Sequence, residues 1–151
     1  PLDPFFEEHP ATQKIEAEKI RMKGLGSLTV QPYILPHFSR LGPKEIEMLD
    51  GGEGMIRNQG FYVYRNRRLI IYGTWFRLLR HNELSQLTRV KVDLPNSMDQ
   101  QWHITLDKSG AQLPANLKQH LRKIIGKFNK RSINVLKINY EAFFFSFSST
   151  M

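Results

Sequence analysis

Residues 58–75 read Asn-Gln-Gly-Phe-Tyr-Val-Tyr-Arg-Asn-Arg-Arg-Leu-Ile-Ile-Tyr-Gly-Thr-Trp, and they give the strongest structural signal in the chain. Two runs of aromatic and β-branched residues, 61–64 and 69–72, flank the polar residues 65–68, which is the pattern of a β-hairpin. Asn66 is the expected pivot, because its short polar side chain tolerates the left-handed backbone of a tight turn. The stretch therefore predicts two paired strands with arginines at their tip.

The arginines at this tip are Arg65, Arg67 and Arg68. They are either an ordinary solvated turn or a basic finger directed at phosphate or at an acidic surface. On the second interpretation these three residues are the candidate nucleic-acid-binding residues.

The composition is that of one basic globular domain. The chain has 151 residues, 40% of them hydrophobic, and its 22 Lys and Arg against 14 Asp and Glu give a net charge of +8. Such a charge favours anionic partners such as nucleic acid or nucleotide phosphates. The absence of cysteine excludes disulfides and thiolate metal sites, so a cytoplasmic setting is expected.

The termini and the hydropathy bear on the context of the domain. No apolar run approaches the roughly 20 residues that span a bilayer, so no membrane partner is expected. The chain starts at Pro1 without a Met or a signal-peptide pattern, which indicates a fragment of a longer protein.

The residues before the hairpin predict a segment that leads into the domain, then a strand and a short helix. In the leading segment, residues 1–26, prolines and glycines confine any helix to residues 12–22. A strand is expected over residues 27–35, where Pro32 cannot donate to a ladder and requires an edge or a bulge. Residues 43–49 predict a short helix that starts at a proline, and the glycines of residues 50–54 predict a flexible link.

After the hairpin the pattern continues with strands and one long helix. Residues 89–94 and 102–106 alternate apolar and polar side chains, as in a sheet with one solvated face. The longest helix is expected over residues 114–128. Its apolar residues recur every three or four positions and form one stripe: Leu113, Leu117, Leu121, Ile124, Ile125 and Phe128.

The C-terminal residues are the hardest to interpret. Residues 133–140 suggest another strand, and residues 142–147, with four phenylalanines, are expected to be buried or to form a poorly ordered end. Together the elements predict an α+β domain over residues 27–132, with a mixed sheet and helices on one side, followed by a C-terminal extension over residues 133–151.

Motifs of common enzymes are absent from the sequence. The five histidines have no partners at metal-ligand spacing, so no metal site is expected. There is neither a Gly-x-Ser-x-Gly elbow nor a phosphate-binding P-loop. Residues 50–54 match the bare Asp-x-Gly-x-Gly pattern with which one class of ATPases holds adenine, but they follow a helical pattern instead of an apolar strand. We therefore expect no nucleotide contact there.

Three segments, taken together, resemble part of a known superfamily: residues 59–70, Gln-Gly-Phe-Tyr-Val-Tyr-Arg-Asn-Arg-Arg-Leu-Ile; residues 87–97, Leu-Thr-Arg-Val-Lys-Val-Asp-Leu-Pro-Asn-Ser; and residues 102–109, Trp-His-Ile-Thr-Leu-Asp-Lys-Ser. Over about residues 31–128 the chain resembles the transducer domain of prokaryotic GHKL ATPases, the superfamily of DNA gyrase B, MutL, MORC proteins and the ninety-kilodalton heat-shock chaperones. The resemblance implies a small transducer-like unit with a left-handed βαβ crossover. It would couple ATP binding and hydrolysis in an upstream ATP-binding domain to conformational change.

The resemblance also implies a role for one residue. GHKL transducers carry a lysine on the loop after a strand of the type predicted over residues 102–106, and this lysine reaches the γ-phosphate when the two domains close. Lys108 holds that position and is the candidate catalytic residue, with an ordinary turn lysine as the alternative. ATP and Mg²⁺ are expected only in the full-length protein, so this chain alone is expected to be inactive.

A nucleic-acid-binding α+β module with no enzymatic role is the competing prediction. It rests on the positive charge, the basic hairpin tip and the basic face of the long helix, with Tyr and Trp side chains available for stacking. The two predictions overlap, because GHKL proteins often act on DNA.

Overall fold

The structure, a computed structural model, describes residues 3–22, 26–95, 108–110 and 113–149, and the side chains of the last range through residue 139. The described part contains one mixed six-stranded sheet and three α-helices, which confirms the predicted α+β class. The strands are β1 (Gln13–Lys14), β2 (Glu18–Met22), β3 (Gly26–Ile34), β4 (Gly60–Arg65), β5 (Arg68–Thr74) and β6 (Thr88–Leu94). The helices are α1 (Pro43–Met48), α2 (Gly51–Arg57) and α3 (Ala115–Ser149).

The six strands form one mixed sheet. β5 pairs with β4 in an antiparallel hairpin, β4 runs parallel to β6, and β6 is antiparallel to β3. The other edge of β3 pairs with both β1 and β2. From β4 the chain reaches its parallel neighbour β6 by way of β5 and a short 3-10 turn. The left-handed βαβ crossover that the resemblance implies stays a prediction.

The predicted hairpin is confirmed, together with its pivot. Asn66 and Arg67 have φ values of 52° and 62°, so both central residues of the turn are left-handed. A two-residue turn of this kind has the twist of the flanking strands and sets their pairing at the tip, where Arg65 lies opposite Arg68. Further along the hairpin the register shifts twice, between Phe61 and Tyr62 and between Val63 and Tyr64.

Helix α3 covers one face of the sheet, and the predicted stripe supplies its contacts. All six stripe residues are buried in one cluster with side chains from one face of the sheet, including Val30 of β3, Val63 of β4 and Val92 of β6. The apolar residues of the strands, which recur every two positions, therefore pack in a single core with those of the helix, which recur every 3.6 positions.

The leading segment is a strand region, so the helix allowed over residues 12–22 is wrong. Ile20 and Met22 of β2 are buried in the core, whereas the residues before each of them, Lys19 and Arg21, are exposed. This alternation has a period of two and is that of a strand. The two short strands extend the sheet beyond β3.

Residues 50–54 are not a flexible link, because they begin α2. Gly54 allows the turn between α1 and α2 to be tight: a Cβ atom there would lie 2.1 Å from the carbonyl oxygen of Leu49. Composition alone suggested flexibility, but these glycines permit close backbone approach.

The strand suggested over residues 133–140 is also wrong, since α3 continues through this range to Ser149. Val135 and Leu136 pack against a second cluster that contains Leu49 and Met55. The helix predicted over residues 114–128 is therefore longer than expected, and it includes Gly126 on an exposed side.

Pro32 lies in an internal strand and not at a sheet edge, the first of the two positions, edge or bulge, that its missing N–H allowed. It lies opposite Val90 of β6, and on its other side the ladder is interrupted between β1 and β2. Because no residue of β1 or β2 is paired with Pro32, a backbone N–H donor is not needed at this position. The predicted strand over residues 102–106 and the side chains of residues 142–147 fall outside the described residues. No helix of the described part has the length and apolar character required to cross a membrane.

Candidate binding site on the open face of the sheet

Tyrosines and cations line the face of the sheet opposite α3. Tyr62 and Tyr64 of β4 and Arg89 and Lys91 of β6 alternate with residues buried under the helix, so their side chains emerge on the other face. Because β4 and β6 are parallel neighbours, with Tyr62 paired to Lys91, the two sets of side chains lie side by side.

The cations lie over the rings. The guanidinium carbon of Arg89 is 5.3 Å from the ring centroid of Tyr62, and the Lys91 ammonium is 5.3 Å from the ring centroid of Tyr64. Tyr62 also contacts Tyr72 of β5, with ring centroids 5.8 Å apart. Such pairs are attractive because the ring face is electron-rich. The arrangement makes one continuous aromatic and cationic surface.

Arg89 is the least expected member of this surface. It is 3% exposed, so the sequence-based expectation of a solvated face is wrong at this residue. One terminal nitrogen, Nη1, donates a hydrogen bond of 2.7 Å to the carbonyl oxygen of Pro4, but Nε has no partner in the described part of the chain. Burial lowers the pKa of Arg89, with partial compensation from Tyr62 and from the carboxylates of Asp3 and Asp50. An arginine remains charged at neutral pH despite such a shift.

The leading segment folds over part of the open face. The Phe5 ring stacks on Tyr33, with centroids 4.6 Å apart, and meets Tyr62 edge-on at 5.4 Å. Asp3 accepts a hydrogen bond of 3.0 Å from the backbone N–H of Phe5, and the Tyr33 hydroxyl donates to Glu7. The segment is thus part of the surface and forms one wall of the site.

A groove of about 500 Å³ lies beside this segment. We call it the tyrosine groove, and it is lined on its aromatic and charged sides by Tyr62, Tyr64, Tyr72, Arg67, Arg89, Asp3 and Asp50. Its volume is in the range of small-molecule sites, about 300–1,000 Å³. The groove therefore combines flat ring surfaces with two guanidinium groups and two carboxylates.

Tyr33, Tyr62 and Tyr64 of the open face are neutral at physiological pH, because their pKa values are raised. Burial raises the pKa of Tyr62 to about 12, although the nearby Arg89 charge opposes the shift. Burial also raises the pKa of Tyr64 and, together with the hydrogen bond to Glu7, that of Tyr33. A neutral phenol offers a ring face and a hydrogen bond and is no general base in this range. The surface is suited to binding.

The raised pKa of Tyr62 predicts alkaline destabilisation. The unfolded chain ionises this phenol near its ordinary pKa of 10.0, whereas the folded chain retains the proton to about pH 12. The unfolded state therefore binds fewer protons in this window, and the free energy of unfolding falls as the pH rises from 10 to 12. Urea unfolding at a series of pH values measures the slope. In Tyr62→Phe the slope should be shallower, and an unchanged slope would contradict the assignment to Tyr62.

Lys108 lies on a fixed turn beside the end of β5. Its carbonyl oxygen accepts a hydrogen bond of 2.7 Å from the Thr74 hydroxyl. Two residues later Gly110 has a φ of 67°, and a Cβ atom there would lie 2.5 Å from the Cβ of Phe76. The exposed Lys108 ammonium is 5.3 Å from the ring centroid of Tyr72, and no described carboxylate forms an ion pair with it.

The structure separates the three hairpin-tip arginines. All are exposed, but only Arg67 lines the tyrosine groove, whereas Arg65 and Arg68 do not. Lys108 meets the groove only through its contact with Tyr72. Sequence reasoning missed Arg89 and the groove tyrosines. The alternation in β4 and β6 was visible, but no local pattern indicated that these strands are parallel neighbours.

Neither metal ligands nor known relatives add to this description. Within the described ranges no group of three or more His, Asp and Glu side chains could hold a metal ion. Comparisons with protein-family models, with curated proteins and with solved structures found no match.

Proposed function

We propose that this domain is the transducer of a GHKL-type ATPase and couples ATP binding and hydrolysis in an upstream domain to conformational change. The observation that carries the proposal is Lys108, an exposed cation on a turn whose backbone is fixed by Thr74 and Gly110. A charge presented from a rigid element stabilises developing charge on a phosphate with little reorganisation. Its flexible stem allows the ammonium to reach a neighbouring domain.

In this proposal ATP and Mg²⁺ belong to the upstream domain, which supplies the phosphoryl chemistry when they are bound. The described residues of this chain would contribute only a positive charge to this reaction, that of Lys108. Residues 50–54, the bare adenine-site pattern, form the start of α2 instead of following an apolar strand. A cytoplasmic location, where ATP is abundant, is part of the proposal.

Measurements of steady-state ATP hydrolysis test whether turnover requires the upstream domain. The isolated 151-residue chain should show no turnover, whereas the protein that includes the upstream ATP-binding domain should hydrolyse ATP. Turnover by the isolated chain would contradict the proposal, because it requires a complete nucleotide site within these residues. The role of Lys108 in the joined protein is a separate prediction, argued in the Discussion.

Nucleic-acid binding by the hairpin tip is a second candidate function. The observation that favours it is the rigid turn at Asn66 and Arg67, which carries the exposed Arg65, Arg67 and Arg68 within four residues. Guanidinium groups held in this way contact phosphates without reading the base sequence.

The salt dependence of DNA binding tests this second candidate. Each phosphate contact contributes about 0.7–0.9 to the slope of log K against log salt, so removing three contacts should lower the slope by about 2–3. The test variant replaces the three tip arginines with Gln. Its matched control, with the same change in net charge, replaces Arg21, Arg40 and Arg80, which are exposed and lie outside both the hairpin tip and α3. Fluorescence anisotropy with labelled single- and double-stranded DNA gives both slopes, and equal losses in the two variants would remove the tip as the site.

A further inference from the structure

The tyrosine groove offers an accessible ring surface. Tyr72 is 48% exposed, and Tyr62 beside it is buried and fixed by a hydrogen bond of 2.7 Å from its hydroxyl to the carbonyl oxygen of Asn58. One tyrosine is thus a rigid support, and its neighbour presents a half-exposed ring that the Lys108 ammonium approaches to 5.3 Å. A flat ligand that enters the groove gains stacking with little loss of side-chain entropy.

The groove also holds two guanidinium groups with unused donors. Arg67 projects from the hairpin turn, and Arg89 has a buried Nε without a partner among the described residues. A buried donor of this kind costs free energy unless a ligand or water satisfies it. Guanidinium groups match phosphate geometry, because they donate paired hydrogen bonds in one plane. The two arginines therefore favour a phosphate next to the rings.

From these two features we propose that the tyrosine groove binds a nucleotide unit, a nucleobase joined to one phosphate. The base stacks on Tyr72 and the phosphate is held by Arg67 and Arg89. The unit is either a free mononucleotide or one nucleotide of a single strand, since both present the same chemistry.

The carboxylates in the groove disfavour a ligand with many negative charges. Among the lining residues, Arg67 and Arg89 are matched in number by Asp3 and Asp50, and Asp50 also forms an ion pair of 3.6 Å with Arg57. The ammonium groups of Lys91 and Lys108, which lie over the rings of Tyr64 and Tyr72, leave a moderate positive excess. Carboxylates accept hydrogen bonds from ribose hydroxyls or base amino groups but repel additional phosphates. A monophosphate or a single phosphodiester unit is therefore preferred to a triphosphate.

This site shares one contact with the Lys108 proposal, since the Lys108 ammonium is 5.3 Å from the Tyr72 ring, but the ATP of that proposal is bound outside this chain. In its single-strand form the inference rests on the second candidate function and adds a base contact in the groove to the phosphate contacts of the hairpin tip. The two are distinguishable through Tyr72, which is not part of the tip.

Isothermal titration calorimetry of the 151-residue chain with AMP, adenosine, ribose 5-phosphate and ATP tests the free-nucleotide form. AMP should bind about tenfold or more tightly than adenosine or ribose 5-phosphate, since each fragment loses either the charge-assisted bonds or the stacking. ATP should bind more weakly than AMP. Equal affinity for AMP and adenosine, or tighter binding of ATP, would overturn the assignment.

Substitutions of Arg67 and Tyr72, each with a control variant, test whether the ligand binds in the groove. Arg67→Gln should weaken AMP binding about tenfold, since it removes a charged donor, while the adjacent tip residue Arg68→Gln should leave it unchanged. Tyr72→Leu should weaken binding about tenfold, and Tyr72→Phe, which keeps the ring, should restore it. Circular dichroism and thermal melting verify that each variant is folded. Equal effects of Arg67→Gln and Arg68→Gln would show general charge attraction and refute the groove.

A labelled oligothymidylate distinguishes the source of the nucleotide. If AMP binds as described, the free nucleotide is a ligand. If AMP fails but the oligonucleotide binds, Tyr72→Leu should weaken that binding about tenfold, which identifies the strand as the source. Oligonucleotide binding that Tyr72→Leu leaves intact would support the tip alone and refute the groove. Failure of both ligands at millimolar concentration would also refute it.

Discussion

Replacing Lys108 with alanine in the protein that joins this domain to its ATP-binding domain should lower the ATP turnover rate about a hundred- to a thousandfold, the effect of removing one preorganised charge contact to a transition state. The affinity for nucleotide should change little, because the contacts to adenine lie in the other domain. The physical basis is the fixed turn: Thr74 and Gly110 hold the backbone in place, so little reorganisation precedes the contact.

The matched control is Lys123→Ala, which removes an exposed lysine from α3. It lowers the net charge by the same amount and should leave turnover unchanged. Single-turnover kinetics with a separate measurement of nucleotide affinity distinguish a slower chemical step from weaker binding. Unchanged turnover in Lys108→Ala would disprove the assigned role, and a matched loss in Lys123→Ala would point to general electrostatics instead.

Leu121→Ala should lower the free energy of unfolding by about 2–5 kcal/mol, the usual cost of such a truncation in a packed core. Leu121 is 2% exposed and lies in the stripe with which α3 contacts the sheet. The lost methyl groups leave a cavity that neighbours on two elements cannot both fill, so transfer and cavity costs add.

Ile138→Ala on the same helix is the control, since Ile138 is 65% exposed. Its change should be within about 0.5 kcal/mol, as for most surface substitutions. Urea denaturation of both variants gives the two values, provided that the slopes of the transitions agree. A similar loss in both variants would contradict the packing of α3 described above.

The elements with a strong local pattern were predictable. The hairpin follows from its two apolar runs and from Asn66, whose left-handed conformation fixes the turn. The stripe centred on Leu121 has a helical period, and Val90, Val92 and Leu94 of β6 have the period of a strand. In each case the burial of one face and the backbone geometry require the same spacing of side chains.

The secondary-structure predictions that were wrong fall in segments whose local sequence pattern is weak. The strands β1 and β2 are short and polar, and they exist because β3 offers an edge with which to pair. The glycines of α2 look flexible in isolation, but Gly54 is required where the backbone at Leu49 approaches closely. Residues 133–140 have strand-like composition, yet they continue α3 because Val135 and Leu136 have a cluster to cover. In these segments contacts outweigh intrinsic preference.

The sequence by itself determined the α+β class, the hairpin with its basic tip and the face that α3 buries, because each is encoded by neighbours along the chain. Only the tertiary structure decided that Arg89 is buried, that the leading segment covers Tyr33, and that Tyr62, Tyr72 and Arg67 border one groove. The physical reason is the parallel pairing of β4 with β6, which joins residues far apart in sequence through backbone hydrogen bonds that carry no local side-chain signature.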